Sequence, residues 1–356
     1  TEAAVQNMAR GSLTNIGRFY DSRMSFADRS TNGGTIAVSG KPLQLASASL
    51  SGANIPGSPA IMSDATISAV DSMVTSGSVN EDMAVYLSGG FVEGNTQAMP
   101  GTGSSDDEFD GFFIAGGVEY YLGKNSMIGV SAYYSDVDAG VTLGQQAESR
   151  TIMGSIYGQS RFGGDYVLDA QLSIGTFNAQ TLRNVAVGAQ TFALTTDDDS
   201  LIYASKIGLS KELDILDTII APGIGARSAH INFDTISEAG GGPALTIVRP
   251  DYNSIQGLAG VEFKSKPGKK LQARVSMNFV HEFLNDNPST FGANFVGGTG
   301  ALAGFALAPV DRNWGELGVG LRYNAGSTSF DLMVDTSVGR SDVESQVYSA
   351  AVTFRF

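Results

Sequence analysis

The chain has 356 residues and a mass of 37.1 kDa, a length compatible with one large domain or two small ones. It contains no cysteine, which excludes a disulfide framework and thiolate metal sites, and its net charge of −14 argues against a nucleic-acid partner. No run of about 18 consecutive apolar residues occurs, so the sequence predicts no membrane-spanning helix. Because the chain begins at Thr1 without a basic-then-apolar leader, we expect it to be a processed or excised piece.

Residues 1–82 are predicted to form a plug and linker segment, because they lack the alternating pattern of the remainder. Over residues 2–26, apolar residues recur at steps of three and four, which predicts an amphipathic helix. A second, shorter helix is predicted over 63–79, and the Gly/Ser/Ala-rich stretch 32–59 predicts a loop or extended linker. The first helix carries Arg10, Arg18 and Arg23.

From residue 83 onward, apolar and polar residues alternate in a series of segments, which is typical of half-buried strands. In one of them, Leu271 and Phe279 share one face, and Arg274 and Glu282 lie on the other. Twelve such segments occur, an even number as expected for a single-chain outer-membrane barrel. Their approximate bounds are 83–92, 109–122, 126–136, 149–162, 165–177, 200–212, 217–230, 254–264, 270–284, 313–324, 328–339 and 345–356.

Short and long connections alternate between these segments. Tight turns are predicted at 123–125, 163–164, 213–215, 266–269 and 325–327. The long connections, which are polar or rich in glycine, are 93–108, 137–148, 178–199, 231–253 and 285–312. Short turns on one side and long loops on the other are characteristic of outer-membrane barrels. The last link, 340–344, departs from this pattern because it is short where a long loop is expected.

The two faces of the predicted strands differ in charge. One face contains almost no charge and is predicted to contact lipid, because a charge at mid-bilayer would cost about 2–4 kcal/mol. The predicted lumen wall carries Glu119, Asp169, Arg227, Glu262, Arg274, Glu316, Arg322, Asp331 and Asp335. On the last strand, the lipid-facing positions are Tyr348, Ala350, Val352, Phe354 and Phe356.

Aromatic residues near the strand ends are predicted to form girdles at the membrane interfaces. The sequence places Trp314, Tyr86, Tyr120, Tyr134, Tyr323 and Tyr348 in such positions.

Together these patterns predict an all-β fold, a 12-stranded antiparallel transmembrane β-barrel over 83–356 with an N-terminal α-helix in its lumen. Twelve strands about 4.8 Å apart and tilted about 40° leave a bore of roughly 12–14 Å, enough for one helix 10–12 Å wide. The helix 2–26 would be roughly 36 Å long at 1.5 Å per residue, enough to cross a bilayer. We favour it over 63–79 as the lumen plug, and we expect its arginines to meet the lumen carboxylates.

Several motifs occur in order along the predicted barrel: Tyr-Tyr-Leu-Gly at 120–123, Val-His-Glu-Phe at 280–283, the run 314–323 and Val-Thr-Phe-Arg-Phe at 352–356. In this order they resemble the C-terminal translocator domain of type Va autotransporters, the type V secretion barrel. The resemblance implies a Gram-negative outer membrane, with its lipids and lipopolysaccharide as surroundings, and a barrel that helps an N-terminal passenger reach the cell surface. It also implies that the last strand is the signal read by the outer-membrane barrel assembly machinery.

The sequence offers little enzymatic chemistry. No G-x-S-x-G motif occurs, and the acidic runs 106–108 and 197–199 are interpreted as solvated outer loops in preference to Ca²⁺ sites, so no cofactor is expected. Some members of the resembling family cleave their own linker through an asparagine in the plug helix. Asn7 and Asn15 are the candidates in this chain, but neither has a supporting motif, and we expect no enzyme activity.

Three functions are weighed. The leading one is a translocator and membrane anchor for a passenger, and the alternative is a free-standing outer-membrane channel or porin with residues 1–26 as a plug. The third, an outer-membrane lipase, is disfavoured because no plausible Ser–His pair occurs on an outward face.

Overall fold

The computed structural model describes residues 2–25, 82–96, 107–141, 145–284, 290–298, 300–307 and 310–356. Within this part, one helix, α1 (Glu2–Ser25), precedes the strands. It agrees with the predicted helix 2–26 except at Phe26, which lies outside the described residues, as do the predicted linker 32–59 and second helix 63–79. No helix among the described residues is long and apolar enough to cross a membrane.

Twelve strands form a closed antiparallel barrel, as predicted. Each strand pairs with its neighbours in the chain, and the last strand pairs with the first from Ala84↔Arg355 to Asn95↔Glu344. The strands are β1 (Met83–Thr96), β2 (Asp107–Leu122), β3 (Ser126–Val141), β4 (Gln145–Phe162), β5 (Tyr166–Val187), β6 (Gln190–Lys211), β7 (Thr218–Asn232), β8 (Tyr252–Ser265), β9 (Leu271–Glu282), β10 (Asn313–Ala325), β11 (Thr328–Val338) and β12 (Glu344–Arg355).

The two ends of the barrel differ in how the chain reverses. At one end, called here the turn end, reversals take only a few residues after β2, β4, β6, β8 and β10. The opposite end, called the loop end, carries the longer connections. The reversal after β6 differs from the predicted turn at 213–215, because Leu213–Ile215 is a short strand paired with the start of β7. The chain turns instead at Leu216, which has a φ of 53°.

Two connections predicted to be long loops are mostly strand. β3 continues to Val141 and β4 begins at Gln145, so the predicted loop 137–148 was wrong. The predicted loop 178–199 was also wrong, because β5 and β6 form a hairpin that reverses at Gly188, with a φ of 63°. Beyond the apolar band the outer face of a strand meets water instead of lipid, while inward side chains such as Ala179, Leu194 and Asp198 remain buried. Backbone pairing therefore continues after the alternation of apolar residues has ended.

Two other loop-end connections contribute to a small second sheet, which we call the mouth sheet. Its strands, in spatial order, are Ala303–Ala306, Thr290–Phe295, Leu245–Val248 and Ile236–Ser237, and all neighbours are antiparallel. A bridge between Thr195 of β6 and Ala239 joins this region to the barrel.

The side chains of the barrel strands alternate between an outer surface that is mostly apolar and a lumen that holds most of the charged groups. On β10, Leu317, Val319 and Leu321 are 41%, 54% and 46% exposed, whereas Glu316 and Arg322 are buried. Strict alternation along a strand places successive side chains on opposite faces, so closure of the sheet sorts them into a lipid face and a lumen face.

The predicted aromatic girdle is only partly correct. Tyr120, Tyr323 and Tyr348 lie on the outer surface, but Trp314 and Tyr86 are buried inside the barrel. Each of these two inward rings lies under an arginine guanidinium, so they belong to the lumen and not to the membrane interface. Aromatic residues near strand ends occur on both faces, and only the parity of a position along its strand separates the two groups.

Candidate functional site: the helix inside the lumen

Helix α1 lies inside the barrel with its N-terminal end at the loop end. The carboxylate of Glu2 lies 3.5 Å from Nε of Arg249, which precedes β8 at the loop end. Near the other end of α1, Nη1 of Arg23 donates to Oγ1 of Thr353, 2.8 Å away and three residues from the C-terminus of the chain. The helix therefore runs through the lumen from the loop end towards the turn end.

One face of α1 packs against the barrel wall through apolar and aromatic side chains. The helix approaches β3, β4 and β5 most closely. The ring of Tyr20 lies 4.9 Å from that of Tyr157, and the ring of Phe19 lies 6.0 Å from that of Phe113. Because these aromatic side chains are removed from water, this face anchors the helix by the hydrophobic effect.

An ion-pair cluster surrounds Arg23 near the turn end. Its Nη2 donates to Glu119 Oε1 at 2.7 Å, and its Nη1 lies 3.7 Å from Asp331 Oδ2. The guanidinium also lies over the ring of Tyr86, 4.0 Å from the ring centroid. Asp331 is held in addition by Arg322, which donates to both carboxylate oxygens at 2.5 and 2.7 Å. The cluster balances two buried cations with two buried carboxylates, which a low-dielectric interior requires.

A second cluster surrounds Glu316 on the wall opposite the aromatic face. Nη2 of Arg18 lies 3.6 Å from Glu316 Oε1, and Arg227 donates to the two carboxylate oxygens at 2.5 and 3.2 Å. The indole Nε1 of Trp314 donates to the same carboxylate at 3.2 Å. Glu316 therefore joins one arginine of the helix to one arginine of the wall.

A third cluster is supplied by the short link between β11 and β12. Arg340 donates to Asp342 at 2.7 Å and to Oγ1 of Thr14 at 3.3 Å, and Nη1 of Arg10 lies 3.8 Å from Asp342. The side chains of both link residues are buried. The short link 340–344 therefore turns inward onto the helix, unlike the other loop-end connections, which are longer.

Asp311, which precedes β10, fixes this link from outside the strands. It accepts hydrogen bonds from the backbone N–H and the hydroxyl of Ser341 and from the backbone N–H of Asp342. Burial alone would raise the pKa of Asp311, but these donated hydrogen bonds hold the pKa below its ordinary value.

The helix is off-centre, and a cavity of about 130 Å³ remains between it and β5–β9. Lys206 of β6 lines this cavity and reaches both Asp21 of the helix and Asp169 of the wall. Glu262 and Arg274, which form a hydrogen bond of 2.7 Å, lie on the far side.

Each predicted lumen residue lies inside the barrel, and each predicted helix arginine contacts the wall. Asp335 lies near Arg18 and Arg274 in the middle of the wall. Sequence reasoning missed several charged lumen residues. Lys206 occupies an inward position of a predicted strand and could have been found from the alternation of inward and outward side chains. Four more, Asp198, Arg249, Arg340 and Asp342, fall in segments predicted to be loops or links and had no such signal.

The outward positions of β12 are those predicted from the alternation. Tyr348 is exposed on the outer surface and its register partner on β1 is Phe91, also exposed. The strand ends at Arg355, and the backbone N–H of Phe356 donates to the carbonyl of Met83 at 3.0 Å. The inward neighbour Thr353 instead contacts the helix.

The residues considered for other chemistry occupy separate places. Asp197 and Asp199 accept hydrogen bonds from Asn178, whereas Asp198 turns inward and pairs with Arg249 at 3.0 Å, so the acidic run 197–199 is divided between two faces of β6. In the part of the chain that the structure describes, no group of three or more His, Cys, Asp or Glu side chains is arranged for a metal ion. Asn7 and Asn15 are both buried within the lumen.

A closed barrel of twelve strands, with an apolar outer face and an ion-paired helix in its lumen, defines a protein of the bacterial outer membrane. The model of the autotransporter β-domain family matches residues 88–337. The chain belongs to this family, whose members sit in the Gram-negative outer membrane and carry a passenger, and whose barrel domain is not an enzyme in itself. No curated protein matches the chain.

Solved structures with a similar fold include two autotransporter barrels and a transporter. The translocator domain of NalP from Neisseria meningitidis matches with a TM-score of 0.61 at 12% identity, over 82% of this chain and 98% of that one. The β-domain of the Bordetella autotransporter BrkA matches with 0.53 at 15%, over 77% and 100%. The Ralstonia pickettii toluene transporter TbuX matches with 0.50 at 11%, over 78% and 90%. At these identities the similarity shows the fold alone.

Proposed function

We propose that this chain is a translocator that supports export of an N-terminal passenger and then anchors it at the cell surface. The polarity of α1 carries the proposal, because Glu2 lies at the loop end and Arg23 lies near the turn end. In outer-membrane barrels the long loops face the outside and the short turns face the periplasm. A polypeptide joined to the N-terminal end of α1 would therefore stand at the outer surface.

The ion-paired helix also supplies the anchor. Withdrawing α1 from the lumen would leave wall carboxylates such as Glu119 and Glu316 without their helix arginines. Breaking a buried ion pair from one side costs about 3–5 kcal/mol, so several such contacts hold the helix in place once it is seated.

We infer two further partners for the barrel. The outward apolar band would be surrounded by outer-membrane lipid and lipopolysaccharide, and the outward residues of β12 would be read by the barrel assembly machinery. Replacing outward Phe354 by serine is expected to lower the amount of heat-modifiable, folded barrel in outer-membrane fractions. Replacing inward Ser349 by alanine is the matched control on the same strand and is expected to leave it unchanged. Equal amounts from both variants would contradict the assembly role.

The export proposal is tested by placing one reporter domain at either end of the chain in a Gram-negative host. A reporter ahead of Thr1 is expected to be cleaved by protease added to intact cells, because it would stand at the loop end. The same reporter after Phe356 is the matched control and is expected to be protected at the turn end. Protection of the first reporter in cells that contain folded barrel would contradict translocation.

We infer that no self-cleavage accompanies export. Neither Asn7 nor Asn15 has a supporting motif, and Asn7 is engaged by Arg10, whose Nη1 donates to it at 3.3 Å. On a denaturing gel of untreated cells, the reporter and barrel are expected in one band. A separate barrel band that disappears on replacement of either asparagine would contradict this inference.

The second candidate is a channel with α1 as a plug, and the cavity of about 130 Å³ beside the helix is the observation that favours it. Bilayer conductance of the whole chain and of a variant lacking residues 2–25 separates the two functions. A translocator with a seated helix is expected to pass little current until the helix is deleted. Large, stable currents with the helix intact would favour the channel.

A further inference from the structure

The lysines of the barrel are concentrated at its turn end. Among the described residues, Lys206 lines the lumen cavity, and the other lysines lie in the turns of that end or at the adjoining strand ends: Lys124, Lys211, Lys264, Lys266, Lys269 and Lys270. Outward residues towards the loop end, such as Asp197 and Asp199, are acidic. In a chain with a net charge of −14, this separation of charge makes the turn end a distinct cationic surface.

Two of these lysines are exposed and lie over exposed tyrosine rings. Nζ of Lys211, the last residue of β6, lies 5.4 Å from the ring centroid of Tyr166, its register partner at the start of β5. Nζ of Lys270, which directly precedes β9, lies 5.4 Å from the ring centroid of Tyr323 on β10. The two tyrosines are 40% and 43% exposed. Each pair therefore places an ammonium group on the outer surface where the strands end.

The neighbours of both lysine–tyrosine pairs are apolar. The ring of Tyr166 stacks on that of Phe162, with centroids 5.9 Å apart. On either side of Tyr323, its register partners Leu271 and Phe330 are 59% and 51% exposed. Tyrosine rings commonly lie at the level of lipid head groups, and lysine stems extend along apolar surface so that the ammonium reaches the polar boundary. Both pairs have the composition of a membrane interface.

The protein does not neutralise the two outward ammonium groups. Among the described residues, no carboxylate forms an ion pair with Lys211 or Lys270, whereas Nζ of Lys266 lies 3.6 Å from Oδ1 of Asp214. An ammonium group has three N–H donors and forms its strongest hydrogen bonds with anionic oxygen atoms. The phosphate of a membrane lipid can supply such oxygen atoms at this level of the barrel.

We propose that Lys211 with Tyr166, and Lys270 with Tyr323, form two binding sites for the head groups of anionic glycerophospholipids. The ammonium would pair with the lipid phosphate, the tyrosine ring would hold the lysine at the membrane surface, and the apolar neighbours would contact the acyl chains. Short turns of outer-membrane barrels face the periplasm, so these lipids belong to the periplasmic leaflet and not to the lipopolysaccharide leaflet. The proposal depends on the position of the barrel in the membrane and not on the translocator function.

The absence of cysteine from the chain permits single labelling positions for a test. L168C lies one outward position from Tyr166 on β5, and I174C, on the same strand nearer the loop end, is the matched control; both side chains are exposed in the parent chain. Each full chain, labelled with a fluorophore, is folded into phosphatidylcholine vesicles. Increasing fractions of phosphatidylglycerol or phosphatidylcholine with a nitroxide on the acyl chain are added, and quenching gives the relative affinity of the two lipids.

At L168C, phosphatidylglycerol is expected to bind about fivefold more tightly than phosphatidylcholine, the effect of one lysine near an anionic head group. The preference should disappear in K211Q, remain in K211R and in K266Q, and weaken at about 1 M salt, where charges are screened beyond about 3 Å. No preference is expected at I174C. A parent chain without preference at L168C, a K211Q variant that keeps it or a K266Q variant that loses it would overturn the proposal.

The second site is tested with the fluorophore at L321C, one outward position from Tyr323 on β10. K270Q is expected to abolish the preference there, whereas K269Q, which removes a lysine paired with Asp217 at 3.5 Å, should leave it unchanged. Equal effects of the two substitutions would overturn this site. A preference at I174C equal to or above that at L168C would indicate non-specific attraction or lipid binding at the loop end, and it would overturn the proposal as a whole.

Discussion

Replacing Arg23 by methionine is expected to destabilise docking of α1 by about 3–4 kcal/mol. The substitution keeps the apolar stem but removes the charge that pairs with Glu119 at 2.7 Å and with Asp331 at 3.7 Å. Loss of one partner from a buried ion pair costs about 3–5 kcal/mol. We expect the lower part of this range because Glu119 keeps a hydrogen bond from Tyr157 at 2.9 Å. Loss of the cation–π contact with Tyr86 acts in the same direction and is included in this figure.

The single tryptophan of the chain provides the assay. Trp314 donates to Glu316 and lies under Arg340, so its fluorescence should change when the helix leaves the lumen. A urea titration of the folded barrel in detergent, followed through this signal, is expected to show an earlier transition for R23M than for the parent chain.

The control is R150M, which removes an arginine from the outer surface. Arg150 pairs with Asp136 at 3.3 Å, but its side chain is 49% exposed, and pairs of this kind contribute at most about 1 kcal/mol. Adding E119Q to R23M is expected to recover part of the loss, because it removes the uncompensated carboxylate. An R23M transition shifted no further than that of R150M would refute the reasoning about the lumen cluster.

Three further outcomes are expected. Leu332→Arg places a charge at an outward position that is 62% exposed, which should cost about 2–4 kcal/mol near mid-bilayer and lower the yield of heat-modifiable barrel; an unchanged yield would contradict its lipid contact. Gly175→Ala places a Cβ against the backbone carbonyl of Ile152 and 2.7 Å from Cα of Met153, and it should lower the free energy of unfolding in a urea titration by about 1–3 kcal/mol, whereas Gly154→Ala, with 4.0 Å to its nearest neighbour, should not. The pKa of Asp311 is lowered in the folded chain. The stability that ionised Asp311 gives to the link is therefore fully present above its ordinary pKa near 3.9 and is lost as the pH falls through the lowered pKa of the folded chain. Hydrogen exchange at the Ser341 amide should therefore be constant at neutral pH and accelerate, after correction for intrinsic rates, only below about pH 4; D311N should lose this dependence.

The barrel architecture could be predicted from local sequence patterns, because contact with lipid requires apolar side chains on one face of each strand. On β10, Leu317, Val319 and Leu321 alternate with Glu316 and Arg322, and this alternation alone assigns one face to lipid and the other to the lumen. The same rule failed at the loop end, where the outer face contacts water instead of lipid. There the hairpin of β5 and β6 continues by backbone pairing without an apolar signal.

The ion-pair clusters between the helix and the wall could be predicted only in part, for a different reason. Parity identified Glu119, Glu316 and Asp331 as wall residues, and helical spacing identified Arg23 as a helix residue. Which arginine meets which carboxylate depends on the rotation and depth of α1 in the barrel, and neither is encoded in a local period.

The sequence itself determined the alternation along twelve strands, their even number and one amphipathic helix. Each of these features depends on local contact with lipid, with water or with the nearest turn. Tertiary structure decided the polarity of α1, the inward turn of Arg340 and Asp342, and the mouth sheet. These features join residues that are distant in the chain, so they depend on which surfaces meet when the cylinder closes around its helix.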